Sequence, residues 1–195
     1  TGVQTCALPI YDGFYGYFQN YKYFDTERTD ILNKINFNLK SKGALSYRKL
    51  ILQSNQSVGI HYRDYGDLHT GNKDVKSFMG EIGFDYYSRG IEIIKEKYNS
   101  IQCFVFSNNA ALAKKKLRGI ENTTFVNYQT DYEWEDMALM SLCSHNIICN
   151  STYSWWSAYL NTNPDRMIIA PKSWGKRIIR KKDQEDFFPP DWILI

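Results

Sequence analysis

The sequence predicts an α/β domain with a doubly wound, Rossmann-like parallel sheet. Two observations carry this. Short apolar runs rich in β-branched residues recur along the chain, each about the length of a buried strand. Between them, apolar residues repeat at the helical spacing i, i+3, i+4, i+7. Strand and helix therefore alternate, which is the order of a parallel sheet covered by helices. No internal repeat or low-complexity tract interrupts the pattern.

Thr1 to Ile10 lacks an initiator Met and the features of a signal peptide. It reads as a non-native leader, with the natural start expected further upstream. Residues 11–50 are expected to be a remnant of an N-terminal domain with an inter-domain helix, and residues 51–195 the sheet domain. Asp25 to Lys40 is expected to be that helix, with Ile31, Ile35 and Leu39 on one face and Asp25 or Thr26 as cap. Gln56 to Arg63 is the first strand. Leu68 to Gly83 is polar and punctuated by glycine, a loop near the site. Asp85 to Tyr98 is a helix through Ile91, Ile94 and Tyr98. Gln102 to Ser107 is a buried strand, Asn108 opens a helix that runs to Leu117, and Thr124 to Asn127 is a third strand. Met137, Met140 and Cys143 define a helix, with Ala138 and Leu142 widening its apolar face. Asn146 to Cys149 is a buried strand, Asn150 to Ser154 a polar turn, and Trp155 with Trp156 opens the next helix. Arg166 to Trp174 holds the last strand and its exit.

The totals exclude several function classes. The chain has 195 residues, 43% hydrophobic and 23% charged, an ordinary globular balance. A net charge of +3 without a long basic run does not indicate nucleic acid. No apolar run reaches the roughly 18 residues that a membrane span needs. Lys176 to Lys182 is locally basic and reads as a solvated loop. Cys6, Cys103, Cys143 and Cys149 form no CxxC, and the last three lie in apolar segments. They read as reduced core thiols, which favours a cytoplasmic setting. His61, His69 and His145 do not cluster at metal-ligand spacing, so no metal is expected.

Two places collect chemistry. His61 and Arg63 are two apart at the end of the first strand, so both side chains point to one face. A guanidinium there suits a diphosphate through paired, charge-assisted hydrogen bonds. The second place is Asn150-Ser-Thr-Tyr-Ser154, at a strand's carboxyl end and a helix's amino end. That edge is where open parallel sheets bind ligands, and a helix start offers free N–H groups to a phosphate. Ser151, Thr152 and Ser154 read equally well as plain helix caps. The same two readings stand for Ser107 and Asn108.

The run Asp136-Met-Ala-Leu-Met-Ser-Leu-Cys-Ser-His-Asn-Ile-Ile-Cys-Asn-Ser-Thr-Tyr-Ser-Trp-Trp-Ser-Ala-Tyr-Leu-Asn161 resembles the third motif of the GDP-fucose-dependent α-1,2-fucosyltransferases, glycosyltransferase family 11. Their string is DM-LMS-C-HNII-NS-FSWW-A-LN. His61-Tyr-Arg63 resembles the family's first motif, His-x-Arg-Arg-Gly-Asp, with Asp64 in place of the second Arg. The aromatic segment Gly13 to Phe24, Arg166 to Trp174 and Phe188 to Ile195 match further family segments. Phe106-Ser-Asn-Asn109 stands where the family has Phe-Ser-Asp-Asp.

The resemblance implies the nucleotide-binding half of a two-domain, GT-B glycosyltransferase, without the family's N-terminal Gly-Gly-Leu-Gly-Asn-Gln loop. It implies transfer of L-fucose from GDP-L-fucose to the 2-hydroxyl of a terminal galactose in a glycan, with inversion and without a metal or other cofactor. The alternative is a GDP-sugar-binding module without turnover. Arg63 and His61 are then the catalytic candidates. His61, Arg63, Asp136 (to guanine), Asn150, Thr152, Ser154, Ser107 and Asn108 are the donor-binding set. Asp64, Asp67 and His61 are candidates for the acceptor-deprotonating base. A cytoplasmic enzyme, with peripheral association at the inner membrane face, is the implied location.

Overall fold

The computed structural model describes residues 20–66, 77, 79–175 and 186–195. Its spine is β1 (Ser57–Tyr62), a strand buried at all six positions. Burial on both faces is what a central strand of a helix-covered parallel sheet requires. Val58, Ile60 and Tyr62 join one core cluster, while Gly59 and His61 point to the other face. β2 (Gln102–Ser107) and β3 (Thr123–Phe125) extend the sheet on one side of β1. β4 (His145–Ile147), β5 (Ile168–Ala170) and β6 (Ile193–Leu194) extend it on the other. The order is β3-β2-β1-β4-β5-β6, and every pairing is parallel. The register sets Ile60 between Val105 and Ile147. The expected α/β class with a Rossmann-like parallel sheet is the observed one.

Helices cover both faces. α1 (Arg28–Lys34) and α2 (Lys42–Gln53) precede the sheet. α3 (Phe84–Lys95) packs Tyr87, Ile91 and Ile94 into the cluster of Val58 and Ile60. α4 (Ala110–Lys116) adds Ala113 to that cluster. α5 (Glu135–Ser141) lies on the opposite face, packing Ala138, Leu139 and Met140 on Phe104 and Phe106. Full burial of a side chain such as Leu139 contributes about 1.5–3 kcal/mol. α6 (Thr152–Tyr159) carries Trp155, which stacks on Tyr159 and touches Trp192.

Two glycines permit the close packing. A Cβ on Gly59 would stand 3.1 Å from Cys143 Sγ, and one on Gly90 would stand 3.1 Å from Ile147 Cδ1. Buried amides fix the joints: Asn161 Nδ2 donates to Cys143 O and Asn146 Oδ1, and Asn146 Nδ2 donates to Met140 O. The Arg28 guanidinium donates to Tyr159 O and Asn161 O, closing the carboxyl end of α6 with a cation.

Several expectations are corrected. The helix over 25–40 is only α1, which starts after Glu27 with no side-chain cap, so neither Asp25 nor Thr26 caps it. Ile35 adopts an extended backbone, so Leu39 reaches the core from a connecting segment while Ile35 is exposed. α2 was not expected: Ser41 caps it through Ala44 N, and it runs across the 50/51 boundary drawn from the sequence. It buries Ala44 and Ile51 in the same core as α5. Leu142 is exposed rather than on the apolar face of α5. α6 begins at Thr152, not Trp155, and β6 was not foreseen. Cys103, Cys143 and Cys149 are free and buried, as expected. Residues 1–10, most of the aromatic segment from Gly13, Asp67, His69 and the basic run 176–182 lie outside the described residues. Among the described residues no helix is long and apolar enough to cross a membrane.

Candidate functional site at the strand switch point

Successive strands step away from β1 in one direction up to β3, and β4 then returns to its other side. The loops leaving β1 and β4 therefore diverge and leave a crevice at their carboxyl ends, the ligand edge of such sheets. His61 is the penultimate residue of β1, and Arg63 follows the strand. Cys149, Asn150 and Ser151 follow β4 and lead into α6.

The turn before α6 is tightly tied. Asn150 Nδ2 donates to Met79 O at 2.5 Å, and Tyr65 Oη donates to Asn150 O at 2.6 Å. Asn150 is buried and orders the turn. Ser151 stands at the N-cap, but no side chain caps the helix. The first amides of α6 thus lack intrahelical partners, with the positive end of the helix dipole behind them. Thr152 is half-buried in this first turn, and its hydroxyl makes no hydrogen bond among the described residues. Ser154 corrects the sequence expectation. It is fully buried, and its hydroxyl lies 3.0 Å from Ser151 O and 3.1 Å from Cys149 O. It braces the turn from inside and offers nothing to a ligand.

The Arg63 guanidinium makes no hydrogen bond or ion pair among the described residues. Asp64 does not neutralise it. Its carboxylate accepts from Gly66 N at 2.7 Å and from Asn109 Nδ2 at 2.9 Å. Asn108 pairs with the Asp64 backbone, accepting from its N–H at 2.9 Å and donating to its carbonyl at 3.0 Å. Two departures from the family strings thus touch each other: Asp64 for Arg, and Asn108-Asn109 for two acids. An acid at 109 would meet Asp64 charge to charge; an amide donates to it. Asn108 and Ser107 act in loop geometry, since Ser107 Oγ accepts from Asn109 N. Asn109 is the cap of α4, accepting from Leu112 N at 3.0 Å.

His61 is buried, and burial, followed by the nearby Arg63 charge, lowers its pKa to about 3. It is neutral at physiological pH and a poor base. Asp64 is held by two donors. Asp136 sits in the first turn of α5, with Tyr128 Oη donating to its Oδ1 at 2.9 Å. Burial pushes its carboxyl up; the Tyr128 bond opposes this, and the adjacent Glu135 charge adds to it.

Tyr153 joins Asp136 to the crevice. Its hydroxyl accepts from Met137 N at 2.7 Å and donates to Glu133 O at 2.6 Å, and its ring lies 5.7 Å from that of His61. The sequence reading missed Tyr153, Tyr65 and Glu135, and left Asn109 out of the donor-binding set. Tyr153 had a signal: it replaces Phe in the family string, adding the hydroxyl that makes both bonds. Glu135 is fully buried and accepts from Lys40 N, Ser41 N, Ser41 Oγ and Thr130 Oγ1 at 2.6–2.8 Å.

The family model of Glycosyl transferase family 11 matches residues 2–195. The chain is similar to the O-antigen biosynthesis glycosyltransferase WbnK of Escherichia coli, 32% identical over 179 residues, covering 88% of this chain and 59% of that protein. It is also similar to an alpha-1,2-colitosyltransferase of Escherichia coli, 31% identical, covering 93% of this chain and 62% of the other. Galactoside alpha-(1,2)-fucosyltransferase 1 of Homo sapiens is 26% identical, covering 71% of this chain and 38% of the other. The chain thus spans about three-fifths of the length of the two bacterial relatives. Among solved structures, NodZ alpha-1,6-fucosyltransferase soaked with GDP-fucose gives a TM-score of 0.38 at 16% identity, covering 63% of this chain and 43% of that one.

Proposed function

Because the chain belongs to glycosyl transferase family 11, beside α-1,2-fucosyl- and colitosyltransferases, we propose that it is the donor-binding part of a GT-B glycosyltransferase. The reaction moves L-fucose from GDP-L-fucose to the 2-hydroxyl of a terminal galactose in a glycan, inverting the anomeric centre. The observation that carries this reading is the Arg63 guanidinium, unpaired among the described residues, after the strand that neighbours the one leading into the uncapped start of α6. Arg63 and the Thr152 turn hold the diphosphate, and Asp136 accepts the N–H donors of guanine. Negative charge grows on GDP as the glycosidic bond breaks. A preorganised guanidinium and helix start stabilise that charge more than the ground state, without calling on a metal. Colitosyl transfer is a second reading, supported by the 31% identity to a protein of that name.

GDP titration by calorimetry on this chain and on Arg63→Ala tests the site. Losing one charge-assisted contact costs about 1.5–3 kcal/mol, roughly ten- to a hundredfold in affinity. Binding that Arg63→Ala leaves unchanged, or a folded chain that does not bind GDP at all, overturns the assignment for this chain. GDP binding without transfer by the full-length gene product favours a binding module.

A further inference from the structure

Cys149 occupies a position where the family string prescribes no residue, yet its thiol meets His61 near the end of β1. Its Sγ lies 3.2 Å from His61 Nδ1 and 3.8 Å from Ser154 Oγ. His61 Nε2 makes no hydrogen bond among the described residues and is not sealed off by its surroundings.

The proton inventory of this cluster selects one arrangement. The Ser154 hydroxyl proton goes to a carbonyl, with Ser151 O and Cys149 O both near 3 Å. Sulfur is a weak acceptor. If Nδ1 carried the proton, the weak acceptor would take the short contact, and the thiol proton would have only Ser154 Oγ at 3.8 Å. With the thiol proton on the short contact to Nδ1, the better acceptor, the imidazole nitrogen, takes that contact, and the Nε2 proton is left for the crevice.

We infer that Cys149 is a positioning residue whose thiol holds His61 as the Nε2–H tautomer, so that the imidazole presents a neutral hydrogen-bond donor to an acceptor oxygen in the crevice. The ligand in this inference is the GDP moiety of the function proposed above, and that part rests on that reading. Burial raises the thiol to about 12 and lowers the imidazole to about 3, so both partners stay neutral at physiological pH. The second ring nitrogen is set by the bond the first one makes, as in other histidine sites. A histidine held this way donates a hydrogen bond but has no lone pair facing the crevice with which to take a proton.

Long-range ¹H–¹⁵N NMR on the histidine-labelled chain without nucleotide reads the tautomer directly. His61 is assigned by loss of its signals in His61→Asn. The expected spectrum has a protonated Nε2 and an unprotonated Nδ1, unchanged down to pH 5. Cys149→Ala removes the donor and is expected to bring in the Nδ1–H form, whereas Cys149→Ser restores Nε2–H. GDP affinity is expected to fall severalfold in Cys149→Ala and to recover in Cys149→Ser. A protonated Nδ1 in the parent overturns the inference, and that spectrum needs no variant to fold. A pure Nε2–H tautomer in folded Cys149→Ala overturns it equally. The tautomer is read without GDP, so failure of the parent to bind GDP strikes the function and leaves this result standing.

Discussion

Removal of the Glu135 carboxylate should loosen the start of two helices together. Glu135 is fully buried beneath α2 and accepts four hydrogen bonds, two from backbone amides and two from hydroxyls. One of those hydroxyls, Ser41 Oγ, is also the cap of α2. In Glu135→Ala the Ser41 and Thr130 hydroxyls rotate to other acceptors, so the two amides set the cost. Each loses a bond to a charged group, worth about 1.5–3 kcal/mol. Relief of the carboxylate's own desolvation offsets part of this, leaving a net loss of about 3 kcal/mol. With a urea m-value of about 2 kcal/mol/M, the midpoint should fall by roughly 1.5 M at pH 7. Glu135→Gln keeps one acceptor oxygen for the amides and should lose less than half as much.

The effect carries a pH signature. Burial pushes the Glu135 carboxyl up, but the bonds from Ser41, Thr130 and Lys40 outweigh it and hold the pKa at about 2. The folded state therefore binds this proton more weakly than the unfolded state. Its contribution is present above about 4.5 and is lost as the pH falls toward 2. The gap between parent and variant should narrow across that window. An alanine cost below about 1 kcal/mol, or a gap that stays constant from pH 5 to pH 3, refutes the reasoning. Asp136 projects from the same turn as Glu135, so GDP affinity should weaken along with stability.

Two further perturbations follow. Asp64→Asn turns one carboxylate oxygen into a donor facing either Gly66 N or Asn109 Nδ2, and Asn109 cannot flip while it caps Leu112. Thermal unfolding should report a loss of about 1–2 kcal/mol, and an Asp64→Ala, Asn109→Ala double-mutant cycle a coupling of at least about 0.5 kcal/mol. Additive single losses would show that the pair does not interact. Stability should also fall with mild acidification, because two imidazoles are buried. Burial, then Arg63, lowers His61 to about 3, and burial, then Lys97, lowers His145 to about 4. The unfolded chain takes up protons below about 6.5 that the folded chain refuses, so stability drops from pH 6.5 downward. A urea midpoint that is flat between pH 7.5 and pH 5 would contradict the burial of both rings.

The sequence by itself determined what depends on near neighbours. The strands were legible as apolar runs, because a central parallel strand such as β1 is buried on both faces. His61 and Arg63 were legible as a pair from the period of two along a strand. The turn before α6 was legible because it collects hydroxyl and amide side chains between an apolar run and a tryptophan pair. α2 escaped notice because exposed Leu45, Leu50 and Leu52 blur its apolar stripe. Ser154 was misjudged because three positions along a helix from the N-cap can face solvent or core, and packing around Trp155 made it core.

Only the tertiary structure decided which distant residues meet. Asp64 and Asn109 are 45 residues apart, and Cys149 and His61 are 88 apart. No local period encodes those separations. They follow from the strand order, which brings β2 and β4 against opposite edges of β1, and from the register that aligns the three carboxyl ends. That alignment lets an amide from the β2 loop hold Asp64 and a thiol from the β4 loop hold His61. Arg63, between them, is left with its charge open to the crevice.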